Sequence, residues 1–290
     1  MDPADPSAPR RSGRLRAWAE LLRAPNLLTV PGDPLVGLLV ATSWAPPRVW
    51  IAAPAASVLL YAAGLVQNDW ADRRRDARDR PERAIPSGRI TPRTALATSV
   101  VLLVAGVAAA RVCGPPTLAT ACGLVAAVSC YNLLTKRLPV LGPVNMGLCR
   151  ALSVGIGLAA GAEQVAAGWS GDFRPGLSPM LLLPAGVIGV YVAAVTAIAR
   201  GEARATGVGW LRNLPAGMLA VVATFAVTQS VESPVRVAWR WWASLAALLA
   251  AVGWSARCAV GLGLARRPAD VQRNVGRLVR GVMLLQAWVL

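Results

Sequence analysis

The run VWIAAPAASVLLYAAGLVQN (residues 49–68) is followed at once by DWADRRRD (residues 69–76). Some 20 apolar residues are enough for a helix to cross a hydrocarbon layer about 30 Å thick. Reading outward from this run, eight more segments of similar character appear. They cover roughly Asn26–Ser43, Thr91–Arg111, Thr117–Leu134, Gly142–Gly161, Ser178–Ala199, Leu211–Gln229, Val237–Ser255 and Val275–Leu290. The composition agrees: 55% of the residues are hydrophobic and only 15% charged, whereas a soluble domain carries about 25% charged residues. The fold class is therefore all-α, a polytopic membrane bundle of about nine transmembrane helices. In the first segment, Pro31, Gly32, Asp33 and Pro34 stand together, which predicts a break facing the protein interior. The ninth is short and reaches Leu290 still apolar, which leaves room for a longer native chain. Residues 1–22 read as a cytoplasmic tail, disordered to about Ser12 and lacking the apolar core of a signal peptide. Residues 23–290 read as the membrane domain, with no soluble domain inserted.

The formal charge of +16 does not point to nucleic acid, because no basic helix or aromatic platform stands clear of the apolar runs. It points to topology. Loops rich in Lys and Arg stay in the cytoplasm. With the N-terminus inside, the cytoplasmic stretches hold 24 Lys and Arg, and the opposite face holds only Arg48, Arg111, Arg174, Arg236 and Arg240. The expected location is the cell's inner or plasma membrane, multi-pass, with the N-terminus cytoplasmic and the lipid bilayer as surroundings. The chain has no histidine, which excludes His-ligated zinc and a Ser-His-Asp triad. Cys113, Cys122, Cys130, Cys149 and Cys258 show no C-x-x-C pairing and read as small core residues. Trp44, Trp50, Trp241, Trp242 and Trp288 near the segment ends read as interface anchors.

On a helix advancing about 100° per residue, Asp69, Asp72 and Asp76 fall at about 0°, −60° and −20°, with Asn68 at about −100°. Carboxylates this close repel one another unless a cation neutralises them. An all-oxygen set suits a hard ion, and magnesium (Mg2+) commonly takes one or two carboxylates together with substrate phosphates. Two readings of the motif stand: a metal site, or a solvated helix end whose Asp residues pair with Arg73, Arg74 and Arg75. The stretch Asp79-Arg80-Pro81-Glu82-Arg83-Ala84-Ile85-Pro86-Ser87-Gly88-Arg89-Ile90 supports the first. A basic loop with rigid Pro and permissive Gly is suited to fold over the site and offer guanidinium groups to phosphate oxygens.

Asn68-Asp69-x-x-Asp72-x-x-x-Asp76, followed by Arg80-Pro81 and Pro86-Ser87-Gly88-Arg89, resembles the UbiA superfamily of intramembrane prenyltransferases. The resemblance runs on through Arg23-x-x-Asn26, Tyr131-x-x-x-x-Lys136-Arg137 and Gly142-Pro143, so it spans nearly the whole of 23–290. It implies a helical bundle around a central cavity. Magnesium held by Asp69, Asp72 and Asp76 would bind a prenyl diphosphate, whose loss of diphosphate leaves an allylic cation for a membrane-soluble aromatic or lipid acceptor. Asp72, Asp76 and Asn68 take the catalytic positions; Asn26, Arg83, Tyr131 and Lys136 take substrate-binding ones. Lys136-Arg137 reads equally as an ordinary positive-inside loop.

Members of that superfamily usually carry a second motif, D-x-x-x-D, at the inner end of the sixth span. Here the stretch from Tyr191 to Arg204 has no aspartate. Thr196 and Glu202 remain as oxygen donors, and Arg200 and Arg204 offer charge to a diphosphate in place of a metal. Thr196-x-Ile198-Ala199-Arg200-x-Glu202 resembles the EboC-like branch, which is associated with biosynthesis or export of secondary metabolites. Arg150, inside the fifth apolar segment, reads as a substrate contact, with pairing to Asp33 or snorkelling as the other readings. Two functions follow: a magnesium-dependent prenyltransferase, or a relative that binds or translocates an isoprenoid or aromatic lipid without transferring it.

Overall fold

The computed structural model describes residues 11–23, 27–42, 44–168, 179–202, 209–231, 238–265 and 267–289. Among the described residues ten α-helices follow one another: α1 (Arg11–Leu22), α2 (Gly32–Ala41), α3 (Pro47–Asp79), α4 (Pro92–Cys113), α5 (Pro115–Leu133), α6 (Leu141–Ala166), α7 (Pro179–Glu202), α8 (Leu214–Val231), α9 (Ala238–Leu264) and α10 (Pro268–Val289). Proline punctuates them as its missing N–H demands. It opens α3, α4 and α5 within their first two positions, and the Thr91 hydroxyl caps α4 by accepting from the Thr94 N–H at 3.1 Å.

Seven described helices are long and apolar enough to cross a membrane, against nine expected from the sequence. The two differences have plain causes. The turn before Gly32 breaks the first segment and leaves a 10-residue apolar helix, α2. The last segment extends back to Pro268 and takes in Asp270, Arg273, Arg277 and Arg280, so α10 is strongly amphipathic. The expected break at Pro31–Pro34 does face inward, for Asp33 is fully buried.

The bundle wraps around α6. Gly37 of α2 and Gly157 of α6 bring two backbones together: a Cβ on Gly157 would strike the Pro34 carbonyl and lie 2.7 Å from the Leu38 nitrogen, and one on Gly37 would lie 2.6 Å from the Leu158 nitrogen. Such close approach is the usual role of small residues between membrane helices. Outward faces stay apolar; Val101 and Val104 on α4, Val221 on α8 and Val260 on α9 are all exposed. All five cysteines are free thiols; Cys113, Cys149 and Cys258 are buried as expected, Cys130 is half-buried, and Cys122 is exposed on the outer face of α5, not in the core.

Two features differ from the sequence reading in ways that shape the site. α3 has 33 residues, about 50 Å of helix, so it runs past the end of the apolar run at 68 and carries the whole Asp motif. Part of the expected tail is also helical. Ala17 and Leu21 of α1 are buried against Val66, Ala84, Ile85, Ile90 and Ala95. Arg89 fastens this contact from the loop, reaching Glu20 and the Glu82 carbonyl at 2.8 Å each. The Arg89 hydrogen bond holds the Glu20 carboxyl below the usual range.

Gly157→Leu is expected to unseat α2 and lower stability by at least about 1–3 kcal/mol, the usual cost of overpacking. Gly186→Ala, where a Cβ meets nothing within 4 Å, is expected to be near neutral. Thermal unfolding of the two variants in detergent checks both.

Candidate diphosphate and metal site

The Asp motif occupies the final turns of α3, and its carboxylates do not pair with the arginines beside them. Arg73 stacks on Trp70, with its guanidinium carbon 4.4 Å from the ring centre, and Arg75 pairs with Asp79 at 3.2 Å. The cations come instead from three other segments. Lys136, in the 3-10 turn Thr135–Arg137 between α5 and α6, places Nζ 2.7 Å from Asp72 Oδ1 and 3.4 Å from Asn68 Oδ1. Arg83, in the loop after α3, places one nitrogen 2.9 Å from Asp76 Oδ2 and 3.8 Å from Asp69 Oδ1. Arg23, just after α1, lies 3.3 Å from Asp69 Oδ1. These are partly buried contacts; the Asp72 and Lys136 side chains are 20% and 12% exposed. The solvated-helix-end reading does not describe this arrangement.

Two oxygen pairs thus converge on one cation each: Asn68 with Asp72 on an ammonium, and Asp69 with Asp76 on a guanidinium. Among the described residues no three acidic, Cys or His side chains form a single metal cluster. The donor chemistry nevertheless fits a hard divalent ion, because Asn68 and Asp72 already aim two oxygens at a positive charge. Magnesium needs only one or two protein carboxylates when phosphates and water complete its shell.

Above the motif lies a cavity of about 190 Å³. Its wall is apolar at Leu65, Leu124, Val128 and Met146 and aromatic at Tyr61 and Tyr131; Arg23 and Asn68 connect it to the motif. Tyr131 lies within electrostatic reach of Arg200, Arg23 and Asp72. Asn132 braces α3 by donating to Gln67 Oε1 and the Gly64 carbonyl, both at 2.9 Å.

Arg150 lines the same cavity and is 7% exposed. Its Nε faces Asp33 Oδ2 at 3.1 Å, and Gln286 of α10 donates to Asp33 Oδ1 and to the Thr29 carbonyl, each at 2.8 Å. Next to it, Ser57 and Ser153 share a 2.5 Å hydrogen bond between α3 and α6. Two of the sequence readings of Arg150 therefore coexist: it has Asp33 as partner and still fronts the cavity.

Arg200 ends α7 with NH1 buried and without a hydrogen-bond partner among the described residues. It rests on Gly142, where a Cβ would collide with it, next to the Thr135 carbonyl. Asn26, Arg204 and the side chain of Glu202 lie outside the described residues. Asn68, Asp69, Asp72, Asp76, Arg83, Tyr131 and Lys136 do come together. Sequence reasoning missed Arg23, Gln67 and Asn132 as members of the site. Arg23 has a positive φ of 45°, an uncommon setting outside glycine; the Arg23-x-x-Asn26 pattern marked it as part of the resemblance but gave it no role at the site. The two amides sit within runs read as plain span.

The fold and the site define a class of protein, and comparison with known chains agrees. The profile of the UbiA prenyltransferase family matches residues 34–261. This chain belongs to that family and is an integral membrane protein. The digeranylgeranylglyceryl phosphate synthase of Halobacterium salinarum is 34% identical over 229 residues, 76% of this chain and 77% of that one. Its counterpart in Natronomonas pharaonis is 35% identical over 129 residues, 44% of this chain. Against that relative the chain spans about half the length, 47%. A UbiA homologue from Archaeoglobus fulgidus, solved bound to DMAPP and Mg2+, superposes with a TM-score of 0.65 at 12% identity, covering 92% of this chain and 98% of that one.

Arg150→Met strips a fully buried carboxylate of its counter-ion and is expected to cost about 3–5 kcal/mol. Adding Asp33→Asn is expected to restore most of the loss, because neutral Asn leaves no buried charge. Thermal unfolding of the single and double variants in detergent measures the difference.

Proposed function

We propose that the chain moves a prenyl group from its diphosphate to a membrane-soluble lipid acceptor, with magnesium at the Asp motif. The observation that carries this is the pairing of three carboxylates with three cations at the mouth of an apolar cavity. A bound diphosphate offers Lys136, Arg83 and Arg23 a richer set of anionic oxygens than the carboxylates do. As those cations move to phosphate, Asn68, Asp72, Asp69 and Asp76 become available to hold magnesium. The metal would supply Lewis-acid stabilisation of the leaving diphosphate.

The protein's own share of the reaction is binding, charge and exclusion of water. The carbon–oxygen bond of the donor breaks, and its electron pair leaves with the diphosphate towards Lys136, Arg83 and Arg23. The allylic cation left behind sits among Leu65, Leu124, Val128 and Met146, which keep water from quenching it. The faces of Tyr61 and Tyr131 offer cation–π stabilisation. The acceptor's nucleophile then bonds to the allylic carbon and gives up its proton to the departing diphosphate. Arg200, against Gly142 and near Tyr131, would supply charge at the position where the UbiA superfamily pattern has its second acidic motif. The charge asymmetry of the loops supports an orientation with the Asp end and the N-terminus in the cytoplasm.

The name shared by the Halobacterium and Natronomonas relatives supports a glyceryl phosphate lipid as acceptor over an aromatic one. Absence of an aspartate between Tyr191 and Arg204 favours the other reading, a binding or translocating protein without transferase activity.

The test is magnesium-dependent release of pyrophosphate from geranyl, farnesyl and geranylgeranyl diphosphates, with prenylglyceryl phosphate and aromatic acceptors in parallel. Wild type is expected to release pyrophosphate, and chelation of magnesium is expected to abolish it. Asp72→Ala with Asp76→Ala is expected to slow it by about 100-fold or more, the scale for losing electrostatic stabilisation of a leaving group. Tight binding of every donor without release from any would support the binding protein instead.

A further inference from the structure

A second polar pocket, separate from the cavity above the Asp motif, opens between α9 and α10. It measures about 370 Å³ and is lined by Trp254 and Arg257 of α9 and by Asp270, Arg273, Asn274 and Arg277 of α10. Residues 270, 273, 274 and 277 recur at helical spacing, so one face of α10 supplies them. The two helices are tied across the pocket by Trp254, whose indole N–H donates to the Arg277 carbonyl at 2.9 Å. Asn274 is buried, and its side chain fits because position 261 is glycine, where a Cβ would come within 2.7 Å of Oδ1.

The charges in this pocket do not cancel. Arg273 reaches Asp270 at 3.9 Å, with side chains 67% and 42% exposed. Arg257 and Arg277 make no ion pair among the described residues. The pocket therefore holds three guanidinium groups against one carboxylate. Its surroundings are apolar: Val260 and Leu264, on the same stretch of α9, are 62% and 75% exposed, and Trp254 is 38% exposed. Unpaired guanidinium groups beside a lipid-facing surface are costly, and such residues in membrane helices normally meet an anion or a polar cavity. An anion that reaches them from the bilayer has to carry an apolar tail of its own.

We propose that this pocket binds the headgroup of an anionic phospholipid, its phosphate between Arg257, Arg273 and Arg277 and its chains along Val260 and Leu264. The site lies at the end of the bundle that carries the Asp motif, since the C-terminal ends of α3 and α9 fall on the same side in an alternating chain. Basic pockets between membrane helices are a recognised form of lipid headgroup site. The assignment is independent of whether the chain transfers a prenyl group.

Native mass spectrometry of the full chain, released from mixed micelles with equal phosphatidylglycerol and phosphatidylcholine, tests it. Wild type is expected to retain phosphatidylglycerol over phosphatidylcholine by about tenfold or more, and Arg257→Gln/Arg273→Gln/Arg277→Gln to lose that preference. Arg280→Gln removes a charge from the same helix outside the pocket and is expected to leave the preference unchanged. Size-exclusion profiles and thermal midpoints of the variants establish that they are folded, and the triple Arg→Lys variant should recover part of the preference if it rests on charge. No preference in wild type overturns the proposal. So does a preference that survives in the triple variant, or one that Arg280→Gln lowers as much as each pocket substitution does. Displacement of phosphatidylglycerol by millimolar inorganic phosphate overturns it as well, because the pocket would then recognise the free ion.

Discussion

Asp69, Asp72 and Asp76 stand within eight residues of one another at the end of an apolar helix, where like charges repel and water is scarce, so each must meet a cation. Much of the surrounding architecture follows from that constraint. Lys136 reaches in from the turn between α5 and α6, Arg83 from the loop after α3, and Arg23 from the end of α1. Three separate segments are thereby drawn over one helix end, and the loop is held there by Arg89 against Glu20. The same three cations that neutralise the carboxylates are the groups a diphosphate would attract. On the proposed reading, substrate binding would be an exchange of partners, with no bare charge at either stage.

The deeper cavity obeys a second form of the same rule. Arg150 stands inside the membrane domain with Asp33 as its counter-ion, and Asp33, just past the chain break before α2, faces Arg150 with Oδ2 and accepts from Gln286 on Oδ1. This buried group joins α2, α6 and α10, while glycines 37 and 157 allow the α2–α6 approach that brings the pair into register. The result is a cavity with one charged corner and apolar sides, suited to a ligand that is mostly hydrocarbon.

Fold and motif were legible in the sequence to different depths. Apolar runs gave the bundle because a bilayer admits few alternatives to helices, and the angular positions of Asp69, Asp72 and Asp76 placed them on one face before any coordinates. Span count was less legible: α2 and α10 fall short through a backbone break and through four charged residues, and a hydropathy reading blurs both. The choice of counter-ions was not legible at all. Arg73, Arg74 and Arg75 were nearest in sequence, yet Arg73 turns to Trp70 and Arg75 to Asp79, so the helical neighbours three and four positions away that these arginines take are not the motif's carboxylates. Arg23, Gln67 and Asn132 joined the site through tertiary packing, which carries no periodic signal. The pocket between α9 and α10 was hidden for the same reason, its arginines reading as ordinary positive-inside charge.

The account turns on the exchange of Lys136 and Arg83 from carboxylate to diphosphate. A structure of the chain with magnesium and an unreactive prenyl thiodiphosphate tests this most directly. The expected result has Lys136 and Arg83 withdrawn from Asp72 and Asp76 onto phosphate oxygens, the metal on the vacated carboxylates and the prenyl chain beside Tyr61 and Val128. A bound thiodiphosphate with the Lys136–Asp72 and Arg83–Asp76 pairs still closed would contradict it.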